Sequence, residues 1–172
     1  MGKLLFVLSC AALLAALIAS ASAQAAEEYE YYYDGLKISS ETPLDSYLSS
    51  VYSAGVRFVY LNNSGARLYV TLSGSAENVS FRPSGNVDIT LDNLNMEVTR
   101  NAIPINLSAN FNGTLLLIGS NTLVAGGDYF TALNLYHGAH ASIVQATSEP
   151  AFLLAQGGPI APGINVGRES DG

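Results

Sequence analysis

The sequence predicts an all-β protein, a parallel β-helix in which the chain coils repeatedly on itself. From Val56 onward, apolar runs of about five residues alternate with turns rich in Gly, Asn and Ser, which is typical of all-β folds. An asparagine also recurs between two apolar residues, in Ile105-Asn106-Leu107, Leu133-Asn134-Leu135 and Ile164-Asn165-Val166. Stacked coils explain one triplet repeated at a nearly constant interval, whereas a sandwich of two sheets does not.

Residues 1–23 are predicted to be a signal peptide. Lys3 precedes a long apolar run, and Ala21-Ser22-Ala23 supplies the small residues of a cleavage site. The run is shorter than the roughly 20 residues that span a bilayer. We therefore expect a secreted or cell-surface protein, with no stable membrane insertion after cleavage. Cleavage would remove Cys10, the only cysteine of the chain.

Residues 24–41 are expected to form a flexible leader or an edge segment that closes one end of the fold. The stretch from Glu27 to Gly35 is acidic and dense in tyrosine. It follows neither the helical nor the strand period of apolar residues.

Residues 42–55 are predicted to form a short capping helix. Thr42 can serve as the N-cap, Pro43 suits the first helical position, and Gly55 would end the helix. An apolar stripe at helical spacing would face the core, formed by Leu44, Leu48, Val51 and Tyr52. Such a helix would cover the open end of the first coil and block aggregation there.

Residues 56–172 are predicted to form the β-helix repeat domain. Successive side chains of a strand face opposite sides, so the apolar members of each triplet enter the interior and the asparagine points outward or into a corner. Asn106, Asn134 and Asn165 would then stack about 4.8 Å apart as a structural ladder of amides. The C-terminal end has no evident cap. Either the domain is truncated, or its last coil lies open behind a charged tail and permits end-to-end self-association.

Two segments, "ITLDNLNM" at residues 89–96 and "GSNTLVAGG" at residues 119–127, carry a resemblance to a known group of proteins. With the surrounding sequence from Tyr69 to Gly167, they resemble the right-handed β-helix repeat modules of secreted and surface bacterial proteins, the carbohydrate-binding-domain-containing type. The chain departs from that pattern after Gly138 and at Pro159 and Pro162. The resemblance implies a right-handed coil and a surface location more than any one activity.

The net charge argues against nucleic-acid binding, and the absence of catalytic motifs argues against an enzyme. The chain has 14 acidic residues against 7 Lys and Arg, a net charge of −7, which argues against binding to nucleic acid. The paired aspartates and Asn-Thr-Asp motif of pectin-degrading hydrolases are missing, since Asn121-Thr122-Leu123 lacks the aspartate. No basic residue lies in a recognisable lyase motif. We therefore expect no enzyme and no catalytic residue.

No cofactor is expected, although calcium stays open as a ligand without a specific motif. Oxygen-bearing side chains of the kind that calcium prefers occur together at Asp88, Asp92, Asn93, Asn95 and Glu97. The same residues suit turns and solvated surfaces equally well. His137 and His140 are interpreted as surface histidines, because no third metal ligand is evident.

Neutral hydrogen-bonding side chains and tyrosines favour carbohydrate binding. Tyr129 and Phe130 follow a Gly-Gly turn, and Tyr136 follows a predicted strand, so these three are the candidate platforms for sugar rings. The expected function is a non-catalytic exported module for binding an extracellular polysaccharide or for surface adhesion. The alternatives are a purely structural surface spacer and a degenerate pectin-lyase-like polysaccharide-degrading enzyme.

Overall fold

The computed structural model describes residues 27–167, and these form strands and turns without a helix. The prediction of an all-β fold is confirmed. The signal peptide predicted over residues 1–23 lies outside the described residues, and within 27–167 no helix could cross a membrane. The strands are β1 (Tyr29–Tyr33), β2 (Leu36–Ser40), β3 (Leu48–Ser53), β4 (Val56–Glu77), β5 (Val79–Val98), β6 (Ile105–Leu107), β7 (Asn112–Ile118), β8 (Ser120–Ala125), β9 (Leu133–Leu135), β10 (His140–Gln145), β11 (Phe152–Gln156) and β12 (Ile164–Val166).

All these strands belong to one mixed, open sheet. Its parallel pairs fall into three sets, which we call stacks 1, 2 and 3. Stack 1 joins the first part of β4 and of β5 to β6, β9 and β12. Stack 2 joins the middle of β4 and of β5 to β7 and β10, and stack 3 joins their last parts to β8 and β11. We call one run of the chain through all three stacks a pass. Each complete pass therefore pairs in parallel with the pass before it at three places, one in each stack.

The main apolar cluster draws side chains from all three stacks. Val59 belongs to stack 1, Val70 to stack 2 and Ala76 to stack 3, and all three lie in this cluster. Phe81 and Phe111 are its largest fully buried side chains. Full burial of such a side chain contributes about 1.5–3 kcal/mol. The three stacks therefore share one core, and every second side chain of their strands points away from it.

The acidic, tyrosine-rich segment, expected as a flexible leader or an edge segment, forms an ordered hairpin whose β1 lies at the edge of the sheet. Strands β1 and β2 pair antiparallel around Asp34 and Gly35, whose φ angles of 46° and 89° build a two-residue turn with both residues in the left-handed region. Strand β2 then pairs antiparallel with β4, and its Leu36 and Ile38 are fully buried. The segment is thus ordered because its second strand supplies core residues.

The helix predicted over residues 42–55 is wrong. Only one turn forms, where the N–H groups of Tyr47 and Leu48 both donate to the carbonyl oxygen of Leu44. Strand β3 follows and pairs antiparallel with β4 around Ala54 and Gly55, whose φ angles are 50° and 80°. A two-residue hairpin turn and a neighbouring strand outweigh the helical spacing of apolar residues.

The predicted helical stripe is also divided in the structure. Leu44 is fully buried and packs in the core, whereas Val51 is 56% exposed and Tyr52 is 64% exposed. Strand pairing alternates side chains between two faces, so residues three apart, such as Leu48 and Val51, lie on opposite faces. The end of the sheet nearest the N-terminus is therefore covered by β1, β2 and β3 instead of a helix.

The last pass of the chain consists of β10, β11 and β12, and it leaves apolar side chains exposed to solvent. Leu133 is fully buried, but its partner Ile164 on β12 is 42% exposed. Leu115 is likewise fully buried, and its partner Ile143 on β10 is 40% exposed. Within residues 27–167, no strand pairs with the outer edge of β10, β11 or β12. This end of the sheet is consequently both apolar and unpaired among the described residues.

Candidate functional site

A surface of outward-facing side chains runs across six strands on the outer side of stack 2. The strands are β1, β2, β4, β5, β7 and β10 in spatial order, and the register aligns their outward side chains in rows. We call this surface the hydroxyl face. Its central row is Glu30, Ser39, Thr71, Thr90, Leu116 and Val144.

Strict alternation in the sequence builds this face. In β4 the core takes Leu68, Val70 and Leu72, which leaves Tyr69 and Thr71 on the outside. In β5 the same pattern places Asp88 and Thr90 outside. Threonine suits an exposed strand position because its branched side chain is favoured there. Neighbouring rows of a sheet repeat about every 4.8 Å, so the hydroxyl groups form a regular line.

A groove of about 550 Å³ opens on the hydroxyl face beside Tyr69. We call it the Tyr69 groove. The Tyr69 side chain is 65% exposed, and its ring presents an apolar surface to the solvent. Val70 and Leu116 also line the groove. The rest of the lining supplies hydroxyl groups and carboxylates, notably Ser39, Thr71, Thr90, Glu28, Glu41 and Asp88.

The backbone under Tyr69 is held in place by a buried serine. Ser40 Oγ donates to the carbonyl oxygen of Tyr69 at 2.9 Å and accepts the N–H of Thr42 at 3.1 Å. The first bond links β2 to β4, and the second shapes the turn that leads away from β2. Tyr69 thus projects from a fixed strand, which limits the entropy that a ligand would have to remove.

Ser39 is the most enclosed hydroxyl of the central row. Its residue is only 4% exposed, and it pairs in register with Thr71 of β4 and Glu30 of β1. Within the described residues, no hydrogen bond engages its Oγ, and the residue lines the Tyr69 groove. The Ser39 hydroxyl can therefore both donate a hydrogen bond to and accept one from a polar group in the groove.

Acidic side chains dominate the charge of the Tyr69 groove. Asp88 Oδ1 accepts a hydrogen bond from Arg67 Nη1 at 2.7 Å and one from the N–H of Thr114 at 2.8 Å, so this carboxylate is already engaged. Glu28 and Glu41 form no ion pair within residues 27–167. No lysine or arginine of the described chain lines the groove.

The aromatic residues predicted as sugar platforms lie elsewhere. Tyr129 and Phe130 precede β9 and Tyr136 follows it, and none of them lines the Tyr69 groove. Tyr129 is 78% exposed and Tyr136 is 56% exposed. Phe130 is partly buried, with its ring close against Gly127. The structure therefore places these three at the two ends of one short strand and apart from the hydroxyl face.

The asparagine triplets come together in stack 1. The register aligns Asn106 with Asn134 and Asn134 with Asn165. Asn134 Nδ2 donates to Asn106 Oδ1 at 2.9 Å, and Asn165 Nδ2 donates to Asn134 Oδ1 at 2.7 Å. The amides are buried or half-buried, so the three residues form a structural asparagine ladder along the stack.

Two further asparagines, both buried, form side-chain hydrogen bonds to the backbone of neighbouring segments. Asn63 is 3% exposed, and its Nδ2 donates to the carbonyl oxygens of Ala66 and Asn86. Asn121 is 2% exposed, accepts the N–H of Leu94 and donates to Ile118. Sequence reasoning missed this role, because each asparagine lies in a Gly/Asn/Ser-rich stretch that predicts a solvated turn, whereas Asn63 lies within β4 and Asn121 within β8.

The oxygen-rich stretch considered for calcium is occupied by other contacts. Asp88 pairs with Arg67, and Asp92 Oδ1 accepts a hydrogen bond from Asn93 Nδ2 at 2.8 Å. Asn95 Nδ2 donates to the hydroxyl of Ser75 at 3.3 Å. Among residues 27–167, no three His, Cys, Asp or Glu side chains gather as a metal site. His137 and His140 are both exposed.

Sequence reasoning also missed Tyr69 and the hydroxyl face. It favoured aromatic residues next to glycine turns, whereas the exposed ring in the groove lies within a strand. The alternation in "RLYVTL" carries the signal, since it assigns Tyr69 and Thr71 to the solvent side.

Comparison of the chain with protein-family models, curated proteins and solved structures gave no match.

Proposed function

We propose that this protein is a non-catalytic, exported right-handed parallel β-helix module that binds an extracellular polysaccharide along its hydroxyl face. The observation that carries the proposal is the Tyr69 groove. It combines an exposed aromatic ring with a line of hydroxyl groups on a rigid sheet.

The strand pairing supports the coiled architecture. Three parallel stacks visited in the same order on successive passes are the pairing pattern of a solenoid, in which each repeat contacts only its neighbours. Parallel strands joined through a crossover are right-handed in nearly all proteins, which supports the right hand. The signal peptide predicted in the sequence supports export.

The chemistry of the hydroxyl face supports a sugar ligand. A tyrosine ring offers an apolar face for stacking against the C–H groups of a sugar ring. Hydroxyl groups donate and accept hydrogen bonds, so they match the mixed pattern of sugar hydroxyls. The row Ser39, Thr71 and Thr90 crosses the strands and repeats at strand spacing, which favours an extended polymer over a compact small molecule.

Retention on polysaccharides tests this proposal. The purified protein is incubated with a panel of insoluble and immobilised polysaccharides, with and without calcium, while circular dichroism confirms a β-rich folded state. We expect saturable retention on one polymer class. If the folded protein is retained on none, the carbohydrate proposal fails and the structural spacer is favoured.

A further inference from the structure

We propose that the Tyr69 groove selects a polysaccharide whose sugars carry free, protonated amino groups. The inference rests on the proposed function, because it names the ligand class of the same groove. Its basis is the juxtaposition of Glu28 and Glu41 with the exposed ring of Tyr69 and the enclosed hydroxyl of Ser39.

The charge balance of the groove favours a cation. Three carboxylates line it, and no lysine or arginine of the described residues does so. Arg67 neutralises only one of the three, that of Asp88. Lys37, on the next row of the hydroxyl face, is paired with Glu30. Glu28 and Glu41 therefore remain available to an ammonium group, whereas the carboxylates of a uronate polymer would be repelled.

Ser39 provides an observation that is independent of charge. Its residue is 4% exposed and lines the groove, and within the described residues its Oγ has no hydrogen-bond partner. A hydroxyl oxygen can accept an N–H of an ammonium group, and its own hydrogen can be donated to a sugar oxygen. An enclosed hydroxyl of this kind loses hydration when it is covered, so a ligand that restores both bonds is favoured.

The tyrosine ring, the two glutamates and the Ser39 hydroxyl have different roles in the proposed recognition. Tyr69 would stack on a sugar ring whatever its substituents, so it contributes to neutral and charged polymers alike. Glu28 and Glu41 would discriminate between an ammonium and an acylated amine, since only the former carries charge. An N-acyl group would also bring bulk and remove two N–H donors at the position of Ser39. The groove is therefore expected to discriminate through its carboxylates and to bind through its tyrosine.

Matched oligosaccharides test the selectivity. Binding of a glucosamine hexamer and of an N-acetylglucosamine hexamer is compared by calorimetry at about pH 5.5, below the pKa of an ordinary amine. The full-length purified protein is used, with the variants Glu41→Gln, Glu28→Gln and Tyr69→Ala. Glu97→Gln serves as the matched control, because Glu97 is an exposed carboxylate on stack 3.

We expect the glucosamine hexamer to bind at least tenfold more tightly than its acetylated counterpart. Glu41→Gln and Glu28→Gln should each reduce that ratio at least threefold, Glu97→Gln should leave it unchanged, and Tyr69→Ala should weaken both ligands. Equal binding of the two hexamers, with loss of both in Tyr69→Ala, overturns the selectivity and leaves the proposed function standing. Glucosamine binding that survives Tyr69→Ala and both glutamine variants is unspecific attraction to an acidic protein, and it overturns the inference. Binding of neither hexamer nor any polysaccharide overturns the proposed function as well.

Discussion

The side-chain amide of Asn134 donates a hydrogen bond of 2.9 Å to Oδ1 of Asn106, one pass earlier in the chain. Asn165 extends the series by donating to Asn134 at 2.7 Å. Each amide in such a row can both donate and accept, so Asn134, which is 9% exposed, is satisfied from two sides. The ladder therefore allows a polar group at this position without the cost of burying it unpaired.

Asn134→Ala should destabilise the protein by about 1–3 kcal/mol, because it leaves Asn106 Oδ1 and Asn165 Nδ2 without their partner. Unfolding by urea, followed by circular dichroism, measures the change. Asn95→Ala is the control, since Asn95 is exposed and should change stability by no more than about 0.5 kcal/mol. Equal effects of the two variants would contradict a stabilising role for the ladder.

Gly85→Ala should destabilise the fold by at least about 2 kcal/mol. Gly85 has φ of +80°, and a Cβ there would lie 1.6 Å from the carbonyl oxygen of its partner Asn63. Gly65→Ala is the matched control, because its Cβ would meet only Asn63 Oδ1 at an ordinary 3.5 Å. Thermal unfolding compares the two variants. A Gly85→Ala protein as stable as Gly65→Ala would contradict the close parallel stacking of β4 on β5.

Glu30 should titrate below its ordinary pKa of 4.5. The hydrogen bond from Lys37 lowers the pKa of Glu30 most, and the one from Tyr32 lowers it further. A lowered folded-state pKa means that this contribution to stability is present above the ordinary pKa and is lost as the pH falls through the folded value. Carboxyl NMR measures the titration. Lys37→Met should raise the pKa of Glu30, and an unchanged value would contradict the pairing.

The open apolar side of the last pass predicts self-association of the protein. Ile164 is 42% exposed and Val166 is 65% exposed on β12, whose outer edge no described strand pairs. A second copy meeting the same edge would cover both the apolar side chains and the free backbone groups. Sedimentation velocity at rising concentration should show a larger species, and Ile164→Lys should reduce it.

Val51→Lys is the control for self-association, because Val51 is 56% exposed at the opposite end of the sheet. It should leave the association unchanged. A monomer at every concentration, or equal loss of association in both lysine variants, would contradict association through the last pass.

Residue periodicity was sufficient for the fold class and insufficient for the N-terminal segment. Short apolar runs between turn residues indicated strands from Val56 onward, and all-β structure is what forms. The apolar residues from Leu44 to Tyr52 also fit a helical spacing, and it is the pairing of β3 with β4 that makes this stretch a strand. That pairing is a tertiary contact, so local propensity could not reveal it.

The candidate site was less predictable than the fold. The spacing of the triplets predicted which asparagines would align, because a motif repeated once per pass pairs with the same motif in the next pass. The Tyr69 groove instead combines residues of β2, β4, β5 and β7 with Glu28 before β1 and with Glu41 and Thr42 after β2, and sequence spacing does not encode that meeting. Tyr129 and Tyr136 stood out in the sequence only because they lie beside turns.

Retention of Tyr69→Ala on the polysaccharide bound by the unaltered protein tests the central claim most directly. Tyr52→Ala, which removes a ring of nearly equal exposure (64% against 65%), and Tyr136→Ala are measured beside it. We expect at least a tenfold loss of affinity for Tyr69→Ala, about 1.4 kcal/mol, and less than a twofold change for the other two. Full retention of a folded Tyr69→Ala protein, or a loss confined to Tyr136→Ala, would contradict binding at the hydroxyl face.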